Sequence, residues 1–219
     1  MNLDPANIFI ICAAIIFIIR QTAVIMKKKF IRLISTPMIT YFICAIAVSG
    51  AIHSTIQYKW LIIAALGLSV IADSVLMAEN PYLFIHGLIF FLAAHILYII
   101  VFSNWYDFAW IDIPAGIILL AMMAYLIYRF YKGGKLGSRL IPVIVYMTAL
   151  SLVVYFSVNG AFREDSAMNY LRMSGAILFY ISDAIIGWTQ FVKRYKFTTF
   201  YVWLFYAPGQ FLIALSMFY

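Results

Sequence analysis

Residues 83–102 read Leu83-Phe-Ile-His-Gly-Leu-Ile-Phe-Phe-Leu-Ala-Ala-His-Ile-Leu-Tyr-Ile-Ile-Val-Phe102, twenty positions without an Asp, Glu, Lys or Arg. A surface helix of a soluble protein shows a polar face, and this stretch has none. About 20 apolar residues in a helix match the hydrocarbon thickness of a bilayer, so the segment reads as a membrane span. Seven more stretches of that kind run at about 7–26, 33–52, 60–78, 111–130, 140–159, 173–192 and 199–218. The composition agrees: of the 219 residues, 66% are hydrophobic and 11% charged, whereas a soluble domain is roughly half apolar and a quarter charged. Fifteen basic and eight acidic side chains cannot coat a globule of this size, but they suffice to mark the ends of spans. The expected fold is all-α, a polytopic membrane bundle of about eight transmembrane helices forming a single integral membrane domain over 1–219.

The net charge of +7 would suggest nucleic acid in a soluble chain. Here topology absorbs it, and no nucleic-acid partner is expected. Lys27, Lys28, Lys29 and Arg32 follow the first span, Arg129, Lys132, Lys135 and Arg139 the fifth, and Lys193, Arg194 and Lys196 the seventh. The intervening connections hold Lys59, Arg163 and Arg172, offset by Asp107, Asp112, Glu164 and Asp165. The positive-inside rule places the first group in the cytoplasm and both termini outside, which in a bacterium means the plasma membrane. The turn at Glu79, Asn80 and Pro81 is cytoplasmic by this reading yet carries no basic residue. The longest connection is expected around Gly160 to Arg172. Tyr58, Trp60, Trp105, Tyr106, Trp110, Tyr195 and Phe197 gather at span ends as interfacial anchors. The N-terminus, with Asp4 and Pro5, lacks a basic n-region, so the first span reads as retained. Cys12 and Cys44 lie in apolar segments and imply no disulfide framework.

One internal echo links residues 66–77 to residues 176–187, each centred on an Asp after a small residue. The next span in each half carries an aromatic and, four positions on, a polar residue: Phe91 with His95, and Tyr206 with Gln210. Two four-helix parallel repeats, 1–102 and 111–219, accommodate that pattern.

Ionisable groups inside a span cost several kcal/mol or more unless paired, hydrated or neutralised, which makes them functional candidates. Four qualify: Arg20, Asp73, His95 and Asp183. Arg20 stands near a helix end, from which it can snorkel to the basic loop, a structural role. Asp73 shares a helix face with Leu66, Ser69 and Met77; Asp183 shares one with Gly175, Phe179, Ser182 and Gly187; His95 shares one with Gly87, Phe91 and Tyr98. A tight turn joins the spans carrying Asp73 and His95, so these two are expected to meet. A lone buried polar residue is often only an interhelical hydrogen bond, but two carboxyls and an imidazole in one small bundle point to catalysis or substrate binding. His53, His86 and His95 lack metal-site spacing, and no P-loop, nucleophile elbow or dinucleotide fingerprint occurs, so no metal and no cofactor are expected.

The motifs around these residues are similar to those of the YhhN family: Ala72-Asp73-Ser-Val-Leu76; Gly87-Leu88-Ile-Phe-Phe91-Leu-Ala-Ala-His95-Ile-Leu-Tyr98; Gly175-Ala176-Ile-Leu-Phe179-Tyr-Ile-Ser182-Asp183; and Tyr206-Ala-Pro-Gly-Gln210-Phe-Leu-Ile213. The likeness runs from about residue 33 onward. Two departures stand out: Ala72 where the family usually has Gly, and Thr36-Pro37 where it usually has Lys-Pro. The resemblance implies a hydrolase of the vinyl ether bond of lysoplasmalogens, releasing a fatty aldehyde and glycerophosphocholine or glycerophosphoethanolamine, with membrane lipids as its surroundings. Such a reaction needs a proton donor and an anionic partner, the division of labour that glycosidases place on two carboxyls. On that basis Asp183 is expected as general acid and Asp73 with His95 as the ionised partner, the two Asp roles being exchangeable, with Tyr98, Ser182, Tyr206 and Gln210 positioning the substrate. A transporter or lipid-binding protein with a polar mid-membrane site is the alternative. An intramembrane aspartyl protease would also use two Asp residues, but its Gly-x-Gly-Asp and Tyr-Asp patterns are absent.

Overall fold

The computed structural model describes residues 5–55, 57–77, 81–104 and 106–219. Asp4 at the N-terminus, the turn residues Glu79 and Asn80, and the anchor Trp105 lie outside the described residues. In hydrocarbon every backbone N–H and C=O must be satisfied within its own segment, and helices do this for apolar stretches of spanning length. Among the described residues the chain forms eight α-helices and no strand: α1 (Pro5–Ile25), α2 (Lys29–His53), α3 (Lys59–Leu76), α4 (Pro81–Phe102), α5 (Asp112–Lys132), α6 (Leu140–Arg163), α7 (Ala167–Phe191) and α8 (Thr198–Leu215). Short 3₁₀ turns precede α6 and follow α8.

Seven of these helices, all but α7, are long and apolar enough to cross a bilayer. At 25 residues α7 has the length, but it carries Asn169, Arg172, Ser182 and Asp183 among its buried residues. Its polar groups turn inward, away from lipid. The protein is a polytopic helical membrane bundle.

Helix packing makes a closed ring. Going round it, α2 packs on α3, α3 on α4, α4 on α6, α6 on α7, α7 on α8 and α8 back on α2. α1 lies outside the ring against α2 and α8, and α5 lies outside it against α6 and α7. Both outer helices turn large apolar side chains outward, such as Ile11, Ile15 and Ile18 on α1 and Ile117 and Leu120 on α5. Water would not tolerate those faces, whereas lipid chains match them. The three basic connections fall at one end of the bundle, because successive helices run antiparallel.

The α7–α8 contact is unusually close. A Cβ added to Gly175 would stand 2.7 Å from the Gly209 carbonyl oxygen, and one added to Gly209 would stand 2.9 Å from the Gly175 oxygen. Small residues let the two backbones meet, as expected for the Gly175 face. Gly187 is likewise covered, by the Phe130 ring of α5.

At the end away from the basic loops the structure departs from the sequence expectations. α6 continues to Arg163 and α7 starts at Ala167, leaving a connection of three residues, because Ser166 caps α7 by accepting a hydrogen bond from the Asn169 N–H. Arg172 is therefore a helix residue with 8% exposure, not a loop cation. Asp112 is also buried, accepting hydrogen bonds from Asn159 Nδ2, Tyr106 Oη and the Ala109 N–H. Lys59 Nζ donates to the carbonyls of Ala51 and Ser54 and so closes the C-terminal end of α2. Trp60, Trp110 and Tyr195 are exposed at helix ends, where interfacial anchors belong.

Candidate active site

All six ring helices send a polar or aromatic side chain to one interior region nearer the basic end. α2 supplies Thr40, α3 Asp73, α4 Phe91 and His95, α6 Tyr146, α7 Phe179 and Asp183, and α8 Tyr206. Each is at least 90% buried. Asp73 and Asp183 lie within electrostatic range of one another, so the ring brings together the two carboxyls that stand 110 positions apart in the chain.

Their surroundings differ. Asp73 Oδ2 accepts two hydrogen bonds, from Thr40 Oγ1 at 2.5 Å and from Tyr206 Oη at 2.9 Å. The Arg20 guanidinium lies within electrostatic range of Asp73. Among the described residues Asp183 accepts from a single donor, the Tyr146 hydroxyl. A cavity of about 60 Å³ opens beside Asp183, bounded by Leu88, Phe91, Val143, Met147 and Ile186 and continuing past Gly187 to Phe191. Asp183, Ile186, Gly187, Gln190 and Phe191 form one stripe of α7, so the cavity follows that helix toward its basic end. One carboxyl is thus held among donors and near a cation, while the other faces an apolar space.

The imidazole sits between two aromatic rings. His95 contacts the Tyr146 ring at 5.1 Å between centroids and the Phe179 ring at 4.9 Å. Neither ring nitrogen has a hydrogen-bond partner among the described residues. No hydrogen bond joins His95 to Asp73, which turns instead to Thr40 of α2 and Tyr206 of α8. The Ser182 hydroxyl, next to Asp183, is also buried without a partner. Two unpaired nitrogens and one unpaired hydroxyl leave buried hydrogen-bonding capacity, which is normally satisfied.

Tyr98 and Gln210 do not reach either acid. Tyr98 Oη donates to Gln210 Oε1 at 2.9 Å, and Gln210 Nε2 donates to Ser69 Oγ at 3.1 Å. They form a buried strut joining α4, α8 and α3 one turn below the acids. Tyr206 is the expected positioning residue that does touch one.

Two residues of the site, Thr40 and Tyr146, escaped the sequence reading, because each shares its span with other hydroxyl residues, such as Thr36 and Ser49 on α2 and Thr148 and Tyr155 on α6, and no local signal singles it out. Arg20 was legible, but its role was not. It does not snorkel: it is wholly buried, donating from Nε to Thr36 Oγ1 at 3.4 Å and from Nη1 to Gln21 Oε1 and the Thr199 carbonyl. Its guanidinium lies 4.3 Å from the centroid of the Trp203 ring, and the packing of α8 across α1 holds it inside.

The same motifs, now placed around one interior, can be set against known proteins. A family model described as YhhN matches residues 30–217. The chain belongs to the YhhN family. The match takes in all six ring helices and leaves α1, with Arg20, ahead of it. Among relatives, lysoplasmalogenase TMEM86B of Rattus norvegicus is 28% identical over 176 residues, 80% of this chain and 66% of the relative. Lysoplasmalogenase TMEM86B of Sus scrofa is 28% identical over 177 residues, 80% and 69% of the respective chains. Lysoplasmalogenase TMEM86A of Bos taurus is 26% identical over 161 residues, 71% and 64%. This YhhN chain therefore spans about two thirds of the length of the curated relatives it matches. No solved structure gives a significant match.

Proposed function

We propose that this protein is a membrane-embedded hydrolase of the vinyl ether bond of lysoplasmalogens, yielding a fatty aldehyde and glycerophosphocholine or glycerophosphoethanolamine. The observation that carries the reading is the pair of buried carboxyls, Asp73 and Asp183, facing one interior in unequal surroundings; the relatives' activity agrees with it. Two carboxyls in a dry interior do not both ionise readily, and the better-solvated one keeps the charge. Asp73, with two donors and a nearby guanidinium, is the ionised partner. Asp183, with one donor and an apolar cavity, is the acid.

In the first step Asp183 gives its proton to the vinyl carbon farther from the ether oxygen, leaving an oxocarbenium ion. Asp73 stabilises that cation and takes a proton from water as the water oxygen bonds to the carbon bearing the ether oxygen. The resulting hemiacetal then collapses. Asp183 takes the hemiacetal hydroxyl proton, Asp73 returns its proton to the glycerol oxygen, and the carbon–oxygen bond breaks to release aldehyde. Both carboxyls end as they began. The unpaired nitrogens of His95 and the hydroxyl of Ser182 hold the water and the glycerol hydroxyl, Tyr206 fixes Asp73, and the Tyr98–Gln210 strut keeps the helices in register. The alkenyl chain follows the apolar stripe of α7. The basic loops lie in the cytoplasm with both termini outside, in a bacterium across the plasma membrane, and the two halves descend from parallel four-helix repeats, in keeping with the matching order of α2–α3–α4 and α6–α7–α8 around the ring.

The test uses purified Asp73→Asn and Asp183→Asn proteins. Each is expected to keep its helical content and melting temperature while aldehyde release falls by roughly 10²- to 10⁴-fold, the range for losing a positioned acid or base. Wild-type rates from either variant would end the two-carboxyl mechanism.

A further inference from the structure

The Arg20 guanidinium is a buried cation without an ion pair among the described residues. It is 0% exposed, and its Nη2 has no hydrogen-bond partner among the described residues. A buried guanidinium usually meets a carboxylate or a phosphate in bidentate fashion. Here Asp73 is near but bonds to Thr40 and Tyr206 instead. Arg32, a second cation, lies within electrostatic range of Arg20. Beyond Arg20, one turn along the same face of α1, Ala23 helps line a groove of about 250 Å³ completed by Val24, by Lys27 and Lys28 past the end of α1, and by Lys29 and Arg32 of α2. The groove ends at Ala23, one turn from Arg20, whose buried guanidinium edge lacks an acceptor among the described residues.

Its position relative to Asp73 is defined twice. On α2, Thr36 meets Arg20 and Thr40 meets Asp73. On α8, Trp203 meets Arg20 and Tyr206 meets Asp73. Both pairs are a single turn apart, about 5 Å of helix rise, with Arg20 on the side of the basic loops. In a lysoplasmalogen five bonds separate the ether oxygen from phosphorus, an extended reach of roughly 6 Å at ordinary bond lengths.

We propose that Arg20, with the Lys27–Arg32 groove, is the subsite for the phosphodiester of the substrate and sets the vinyl ether against Asp73. The assignment rests on the vinyl ether hydrolase reading above. It gives the α1 cation, ahead of the family match, a positioning role: a phosphate oxygen on Nη2 fills the vacant donor, and the glycerol then spans one helical turn to the reacting bond.

The experiment compares 1-alkenyl-glycerophosphocholine with 1-alkenyl-glycerol, which lacks phosphate, on purified protein in nanodiscs. For Arg20→Gln the KM for the phosphodiester is expected to rise about 10- to 100-fold, the factor of a charge-assisted hydrogen bond, beyond the fall in kcat that losing the cation near Asp73 produces alike on both substrates. The loss on 1-alkenyl-glycerol is expected to be at least tenfold smaller, and Arg20→Lys, which keeps the charge but not the fork, should fall between. An unchanged KM, or equal losses on both substrates, overturns the subsite. If Arg20→Gln does not melt cooperatively, the surface pair Lys27→Asn with Lys28→Gln serves: it should raise KM for the phosphodiester selectively, and equal KM values overturn the proposal. Asn suits position 27 because Lys27 has φ 57°. Competition by glycerophosphocholine but not by inorganic phosphate supports a headgroup site, whereas competition by inorganic phosphate alone overturns it in favour of a free-anion site. Failure of the wild type to release aldehyde from either substrate defeats the hydrolase reading itself, while lost selectivity with intact hydrolysis defeats only the subsite.

Discussion

Replacing Tyr206 by Phe removes one oxygen from the site and little else. The ring contacts Phe91, Phe179 and Trp203 at centroid distances of 5.8, 5.3 and 5.0 Å, all of which a phenylalanine keeps. Asp73 then loses one of its two donors and retains Thr40. A hydrogen bond to a charged group contributes about 1.5–3 kcal/mol. At 1.4 kcal/mol per factor of ten, kcat should drop by about 10- to 150-fold if Asp73 acts as the carboxylate. Thr40→Val is expected to cost a similar factor. The double variant leaves Asp73, at 5% exposure, without a side-chain donor, and its loss should depart from the product of the single losses because both donors serve one oxygen. The assay is aldehyde release from 1-alkenyl-lysophospholipid, coupled to reduction of the aldehyde and followed by NADH absorbance, with a thermal melt beside it to show that the packing survived. A Tyr206→Phe protein with wild-type kcat and an unchanged melt would refute the assignment of Asp73 as the ionised partner, since a buried carboxylate cannot lose half its donors without consequence.

Two further outcomes concern stability. Gly175→Ala is expected to lower the melting temperature, because its new methyl meets the Gly209 carbonyl at 2.7 Å and such overpacking costs about 1–3 kcal/mol; Gly67→Ala, with nothing within 4 Å, should not lower it, and equal melts would refute the close α7–α8 approach. Asn159→Leu removes the side-chain amide that donates to both Asp112 oxygens and to the Asp107 carbonyl. It should destabilise the fold by about 1–3 kcal/mol, the cost of leaving buried acceptors unmet, while KM for the lipid stays put, because this cluster lies at the end of the bundle opposite the basic loops.

The sequence by itself determined the membrane class, the helical architecture and the two acids. Apolarity over twenty positions belongs to each segment alone, and an ionisable residue inside such a segment is visible without knowing its neighbours. Asp73, Asp183 and His95 were legible for that reason. Their partners were not. Tyr146 is one of 16 tyrosines, and only the rotation of α6 within the ring turns it toward Asp183 instead of lipid. Tyr206 meets Asp73 across 133 positions of chain, a contact set by the order of helices around the ring and not by any local period. The same order overruled the pairing of His95 with Asp73 that a short turn between α3 and α4 suggests. Arg20 shows the limit most clearly: distance from a helix end predicts snorkelling, but α8 lies across α1, covers the guanidinium with Trp203 and keeps it inside. Which ionisable groups lie in the membrane is a property of the residues; which of them keeps its charge, and what it faces, depends on how the helices pack, and that is decided by side-chain fit at crossings such as Gly175 against Gly209.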